Sequence, residues 1–113
     1  MSNLYFLNDD HTYRPCTIRE WSNQYFNHKN VSKKTLACDH ISDKRISTVW
    51  LGVDHNVFTN INNTAPILFE TMIFTGDENL EIYLDRYSTW DEAMSGHKRA
   101  IKWVIDGCND EEL

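Results

Sequence analysis

The chain has 113 residues, 41% of them hydrophobic and 12% aromatic, with a formal net charge of −6 at pH 7. That length fits one domain over residues 1–113, and four Trp, five Tyr and five Phe can fill a small core without a metal or disulfide staple. No apolar run nears the roughly 18 residues of a membrane span, and no basic stretch leads into a long apolar one at the N-terminus, so neither a span nor a secretory signal is expected.

The charge is uneven. Residues 76–113 carry ten acidic and four basic side chains, whereas residues 1–75 carry seven of each. An acidic half argues against general binding to nucleic-acid phosphates. It suits docking on a basic partner surface, or a solvated surface that keeps the protein in solution. Cys16, Cys38 and Cys108 are odd in number and widely spaced, which reads as reduced thiols in a cytoplasm.

The short apolar run at residues 4–7, followed by Asn8-Asp9-Asp10, fits a first strand or hairpin. Thr17 and Glu20 have the spacing of a capping box, and Ile18, Trp21 and Tyr25 mark one face of a helix over about residues 17–27. Residues 27–35 read as a polar, mildly basic loop and 35–40 as a strand. Residues 45–53 are rich in β-branched side chains and predict a strand. Residues 54–65 form an Asn-rich loop too long for a tight hairpin, of a length often tied to function. Residues 66–75 are apolar on both faces, as in a central strand. After a turn at 76–79, Leu80, Ile82 and Leu84 alternate with Glu81, Tyr83 and Asp85, a half-exposed strand.

Thr89 and Glu92 form a second capping-box pattern, opening a helix over about 89–106. Its apolar stripe is Trp90, Ala93, Met94, His97, Ala100, Ile101 and Val104, with Trp90, Ala93, Ile101 and Val104 expected to be buried. Gly107 is expected at its C-cap, and residues 109–113 make an acidic, frayed tail. The expected fold is α+β, a mostly antiparallel sheet with one helix near the N-terminus and a C-terminal helix packed on the sheet.

The string Ser47-Thr48-Val49-Trp50-Leu51-Gly52-Val53-Asp54-His55 continues through Phe69-Glu70-Thr71-Met72-Ile73-Phe74, Arg86-Tyr87-Ser88-Thr89-Trp90-Asp91-Glu92-Ala93 and Gly96-His97. In wording and order it resembles a family of small proteins of tailed phages and prophages whose function is unknown. The resemblance covers about residues 45–105. Residues 57–64 depart from the shorter, Gly-rich segment of that pattern, and the N-terminal third matches loosely. It implies a phage origin and the cytoplasm of an infected bacterial host, and it supplies no catalytic residues.

Three antiparallel strands would bring Asp54 and His55 to the same end of the sheet as Arg86, Tyr87 and Thr89. There they would line one pocket for a phosphate or carboxylate, with the Asn-rich loop as a lid. The simpler reading has Asp54 and His55 capping a strand end and Arg86 bridging to Asp54 or Asp91. Glu70 and His97, polar groups at positions that pattern with core, could form a buried pair, either as acid and base or as a structural hydrogen bond. The five His show no metal-binding spacing, and there is no GxSxG, Walker A or GxGxxG motif, so neither metal nor cofactor is expected. Lys29, Lys33, Lys34, Lys44 and Arg45, near Trp21, Tyr25 and Phe26, are the one basic concentration; without an RNA-binding motif they read as solvated loop charges.

Three functions compete. The first is a phage accessory binding protein that counters host defence by engaging an effector protein or sequestering its nucleotide signal. The second is a small hydrolase of nucleotides or nucleic acid using His55, Glu70 or His97, with or without a metal. The third is an assembly protein of the virion, which predicts oligomerisation through an exposed sheet face.

Overall fold

The computed structural model describes residues 3–26, 34–56, 65–76 and 80–108. β1 (Tyr5–Leu7) and β2 (Tyr13–Pro15) form an antiparallel hairpin, followed by α1 (Ile18–Phe26). Then come β3 (Thr35–Ile41), β4 (Lys44–Trp50), β5 (Phe69–Thr75), β6 (Leu80–Tyr87) and α2 (Trp90–Ile105). The last four strands make an antiparallel sheet in the order β3-β4-β5-β6, so each strand pairs with its neighbour in sequence. α2 lies across one face of that sheet and touches all four strands. The fold is α+β with a C-terminal helix on the sheet, and the N-terminal helix is short.

Both capping boxes form. The Glu20 amide donates to the Thr17 hydroxyl at 3.2 Å, and the Thr17 amide donates back to the Glu20 carboxylate at 3.1 Å. At α2 the Glu92 amide donates to the Thr89 hydroxyl at 3.1 Å, and the Glu92 carboxylate reaches the Ser88 amide. α2 ends in a Schellman motif. Asp106 is the C-cap, Gly107 follows at φ +86°, and the Gly107 and Cys108 amides donate to the Val104 and Trp103 carbonyls.

The helix-facing side of the sheet carries the core. One cluster joins Leu7, Trp50, Leu68, Phe69, Tyr87 and Ala93; a second joins Ile46, Ile73, Ala100 and Val104. Ala93 and Val104 are buried, as expected of the stripe, whereas Trp90 and Ile101 are half-buried at its margins.

Four local expectations are corrected. Ile18 stands in solvent at 71% exposure, and the buried residue of α1 is Gln24. The side-chain amide of Gln24 bonds both the N–H and the C=O of Leu7 at 2.8 Å, which an apolar side chain cannot do. The strand expected over 45–53 ends at Trp50, because Gly52 turns the chain at φ +74° where Trp21 and Trp50 leave no room for a Cβ. The strand expected over 66–75 begins at Phe69. In β6, Leu80, Ile82 and Leu84 face solvent, while Tyr83 meets Trp103 of α2 and Tyr87 enters the core. The Asn-rich loop at 57–64, the turn at 77–79, the tail at 109–113, and Lys29 and Lys33 lie outside the described residues.

Candidate functional site

The register Trp50–Phe69–Tyr87 brings the ends of β4 and β6 to one end of the sheet, as the topological argument requires. The side chains there do not converge. Asp54 folds back and accepts from the Asn56 amide at 2.7 Å and the Ile67 amide at 2.9 Å. His55 donates from Nδ1 to the Val53 carbonyl at 2.8 Å. Both hold the segment that leaves β4, which is the capping role weighed from sequence.

Arg86 and Tyr87 are consecutive in a strand and so project to opposite faces. Arg86 Nε donates to Glu70 Oε2 at 2.9 Å across the β5–β6 ladder, on the face away from α2. Its partner is therefore Glu70, and neither Asp54 nor Asp91. Tyr87 is buried under α2, and Thr89 is the helix N-cap. Tyr87 and Thr89 line two separate clefts, neither of which includes Asp54, His55 or Arg86.

Glu70 and His97 do not pair with each other; the sheet lies between them. Glu70 points away from α2, whereas His97, 3% exposed, sits between α2 and the sheet. Its Nε2 lies 2.7 Å from Asp39 Oδ2 and its Nδ1 lies 2.7 Å from the Thr48 hydroxyl, which in turn lies 2.5 Å from the Thr71 hydroxyl. A carboxylate only accepts, so Nε2 carries a proton toward Asp39, and in the neutral imidazole Nδ1 is then the acceptor for the Thr48 hydroxyl. This chain ties α2 to β3, β4 and β5. Thr48 and Thr71 are fully buried, and their hydroxyls bond to each other within the fold. From sequence Asp39 is notable only in the dipeptide Asp39-His40, without metal-binding spacing, and Thr48 and Thr71 only within the phage-like pattern; none of the three is expected to partner His97. The available signal was a hydroxyl at an inward-facing position of each of two apolar strands.

Tyr87 lies beside this chain. Gly96 lets its ring lie flat against the helix: a Cβ there would meet Tyr87 Cζ and Oη at 2.2 Å. The phenol is buried, and its hydroxyl completes no hydrogen bond among the described residues. Burial pushes it up to about 12.

A concave surface lies where the β1–β2 turn meets the start of α2. A cleft of about 410 Å³ is lined by Asp10, His11, Thr12, Tyr13, Thr89, Trp90 and Asp91. His11, at φ +73°, stacks on Trp90 with ring centroids 3.6 Å apart and planes 8° apart. Hydrogen bonds from Thr12 hold the Asp10 carboxyl below its usual range. A second cleft of about 330 Å³, lined by Tyr87, Asp91, Glu92, Ser95 and Arg99, shares Asp91 with the first. Asp10, Asp91 and Glu92 thus put three carboxylates around one end of α2, with Arg99 a turn or two along.

The basic concentration is taken up locally where it is described. Lys34 lies over the Tyr25 ring at 4.2 Å, Arg45 over Phe74 at 4.4 Å, and Lys44 pairs with Asp43 at 2.6 Å. Among the described residues no three His, Cys, Asp or Glu side chains are grouped to hold a metal ion, and no helix is long and apolar enough to cross a membrane. Fold and site together define a small α+β domain, stapled by a buried polar chain, with an acidic, aromatic-walled cleft at its helix start. No known protein family, curated protein or solved structure matches the chain.

Proposed function

We propose that this chain is a non-catalytic binding protein of a tailed phage, acting in the host cytoplasm, that docks its acidic side on a basic surface of a host protein. A defence effector is the specific target class. The observation that carries this reading is the cleft at the start of α2, where Asp10 and Asp91 flank Trp90, His11 and Tyr13 and no Lys or Arg joins the lining. Aromatic faces beside carboxylates that form no ion pair among the described residues suit a cationic protein surface. The same carboxylates weigh against sequestration of an anionic nucleotide. The hydrolase reading needs two of His55, Glu70 and His97 in reach of one pocket. That is disfavoured by the bond of His55 to its own loop and by the sheet between Glu70 and His97. The phage origin rests on the sequence pattern.

The test is capture of host proteins on the tagged chain, compared with a triple variant, Asp10→Asn, Asp91→Asn and Glu92→Gln. A specific partner should be held by the wild type, released as salt rises, and lost by the variant. A partner retained equally by both proteins, or insensitive to salt, would refute the acidic docking surface.

A further inference from the structure

The β1–β2 turn that walls the acidic cleft is braced from within. The Asn8 amide donates to the Thr12 carbonyl at 2.8 Å, and the His11 amide donates to the Asn8 carbonyl at 3.0 Å. The Asn8 side-chain amide donates to the Thr12 hydroxyl, and that hydroxyl and the Thr12 amide both donate to Oδ1 of Asp10. These bonds orient the carboxylate and favour its ionised form. Its Oδ2 makes no hydrogen bond among the described residues. Asp91, in the first turn of α2, likewise enters no hydrogen bond or ion pair among them. The left-handed backbone at His11 sets its ring flat on Trp90, and the exposed imidazole turns its other face to solvent.

We propose that this cleft seats an arginine side chain, its guanidinium stacked on the outer face of His11 and its N–H groups shared between Asp10 and Asp91. The inference rests on the docking reading above and names the anchor that the basic partner supplies. Charge and shape select arginine. The lining holds Asp10 and Asp91 and no Lys or Arg, so what it lacks is positive charge, and an anion would be repelled. The ring pair, with planes 8° apart, offers a flat face. A guanidinium is itself planar, so it stacks on such a face while its donors project from the edge, where carboxylates to either side can accept them. A lysine ammonium is a strongly hydrated point charge with no plane to stack. The turn pays little entropy on binding, because Asp10 and His11 are already held in place by the bonds of Asn8 and Thr12.

The test is an NMR titration of the whole isotope-labelled chain with N-acetylarginine amide. Saturable shifts are expected at the Trp90 indole N–H and at the backbone amides of His11, Thr12 and Asp91. The dissociation constant should be on the order of millimolar, since exposed stacking and ion-pair contacts each contribute little. The lysine analogue should bind several-fold more weakly, and the neutral citrulline analogue should not saturate. Asp91→Asn should weaken the arginine derivative about fivefold. His11→Gly, which tolerates the left-handed turn, should bring arginine down to the level of lysine. Equal binding of the arginine and lysine derivatives by the wild type overturns the proposal. So do shifts spread over acidic residues elsewhere, or arginine binding unchanged in His11→Gly. If the wild type holds a salt-sensitive host partner but not the arginine derivative, the arginine seat falls and the acidic docking surface stands. If the derivative saturates the cleft while the triple variant keeps the host partner, the docking surface falls and the arginine seat stands.

Discussion

His97 Nε2 lies 2.7 Å from Asp39 Oδ2, a bond from the middle of α2 to the outer strand β3 that bridges 58 positions of sequence. The ring's other nitrogen holds Thr48 of β4, so one side chain sets the height and rotation of the helix over the sheet. His97→Ala leaves the buried Thr48 and Thr71 hydroxyls short of a partner and opens a cavity, and should cost about 2–4 kcal/mol in urea unfolding. Asp39→Ala should cost about 1 kcal/mol, because the carboxylate is half exposed. Equal losses in the two variants would show that the Thr48 bond and the packing contribute little.

Gly96→Ala tests the close approach of α2 to Tyr87. On an open helix face the change would stabilise by about 1 kcal/mol. Here the new Cβ would fall 2.2 Å from the phenol carbon, so a loss of about 3 kcal/mol or more is expected. Tyr87→Leu should recover part of it in a double-mutant cycle, since the clash is between these two residues. Additive losses would place the strain elsewhere.

Alkaline pH should loosen the fold through Tyr87. Its phenol ionises near 10 when unfolded and near 12 when folded. A raised folded value means that the associated stability is fully present below pH 10 and is lost as pH climbs from 10 to 12, by about 2–3 kcal/mol in total. Tyr87→Phe, which removes a buried hydroxyl with at most a weak contact to Thr71 among the described residues, should change stability at neutral pH little and flatten that alkaline decline. An unchanged pH profile in the variant would assign the decline to other groups.

Gln24→Ala should cost about 2 kcal/mol, because it strips Leu7 of two hydrogen bonds in a buried place. Gln24→Leu should fare no better despite its greater hydrophobicity, since the Leu7 amide and carbonyl would still lack partners. Thermal melts of both variants decide the point. A Leu variant as stable as wild type would mean that the hairpin edge rehydrates freely.

Much of this architecture was legible in the sequence because it depends on neighbours close along the chain. Thr17 with Glu20 and Thr89 with Glu92 set the helix starts through bonds three residues apart, and Gly107 set the end of α2 through its left-handed backbone. The β-branched run before Trp50 and the apolar run after Leu68 yielded two central strands, and short connections made β3 the partner of β4 and β5 the partner of β6, whereas β4 and β5 pair across a long one. Tertiary structure alone decided which face of each strand meets the helix. Alternation in β6 defines two faces without ranking them. Leu84 turned outward because Tyr83 and Tyr87 reach Trp103 and the space over Gly96, while a bulge at Ile82 breaks the alternation and Leu80 and Ile82 beyond it are exposed as well. The same decision sent Glu70 to Arg86 and His97 to Asp39, partners separated by 16 and 58 positions. A buried polar side chain must take whichever donor or acceptor the fold brings within about 3 Å. That proximity is set by the packing of α2 on the sheet, which no local pattern encodes.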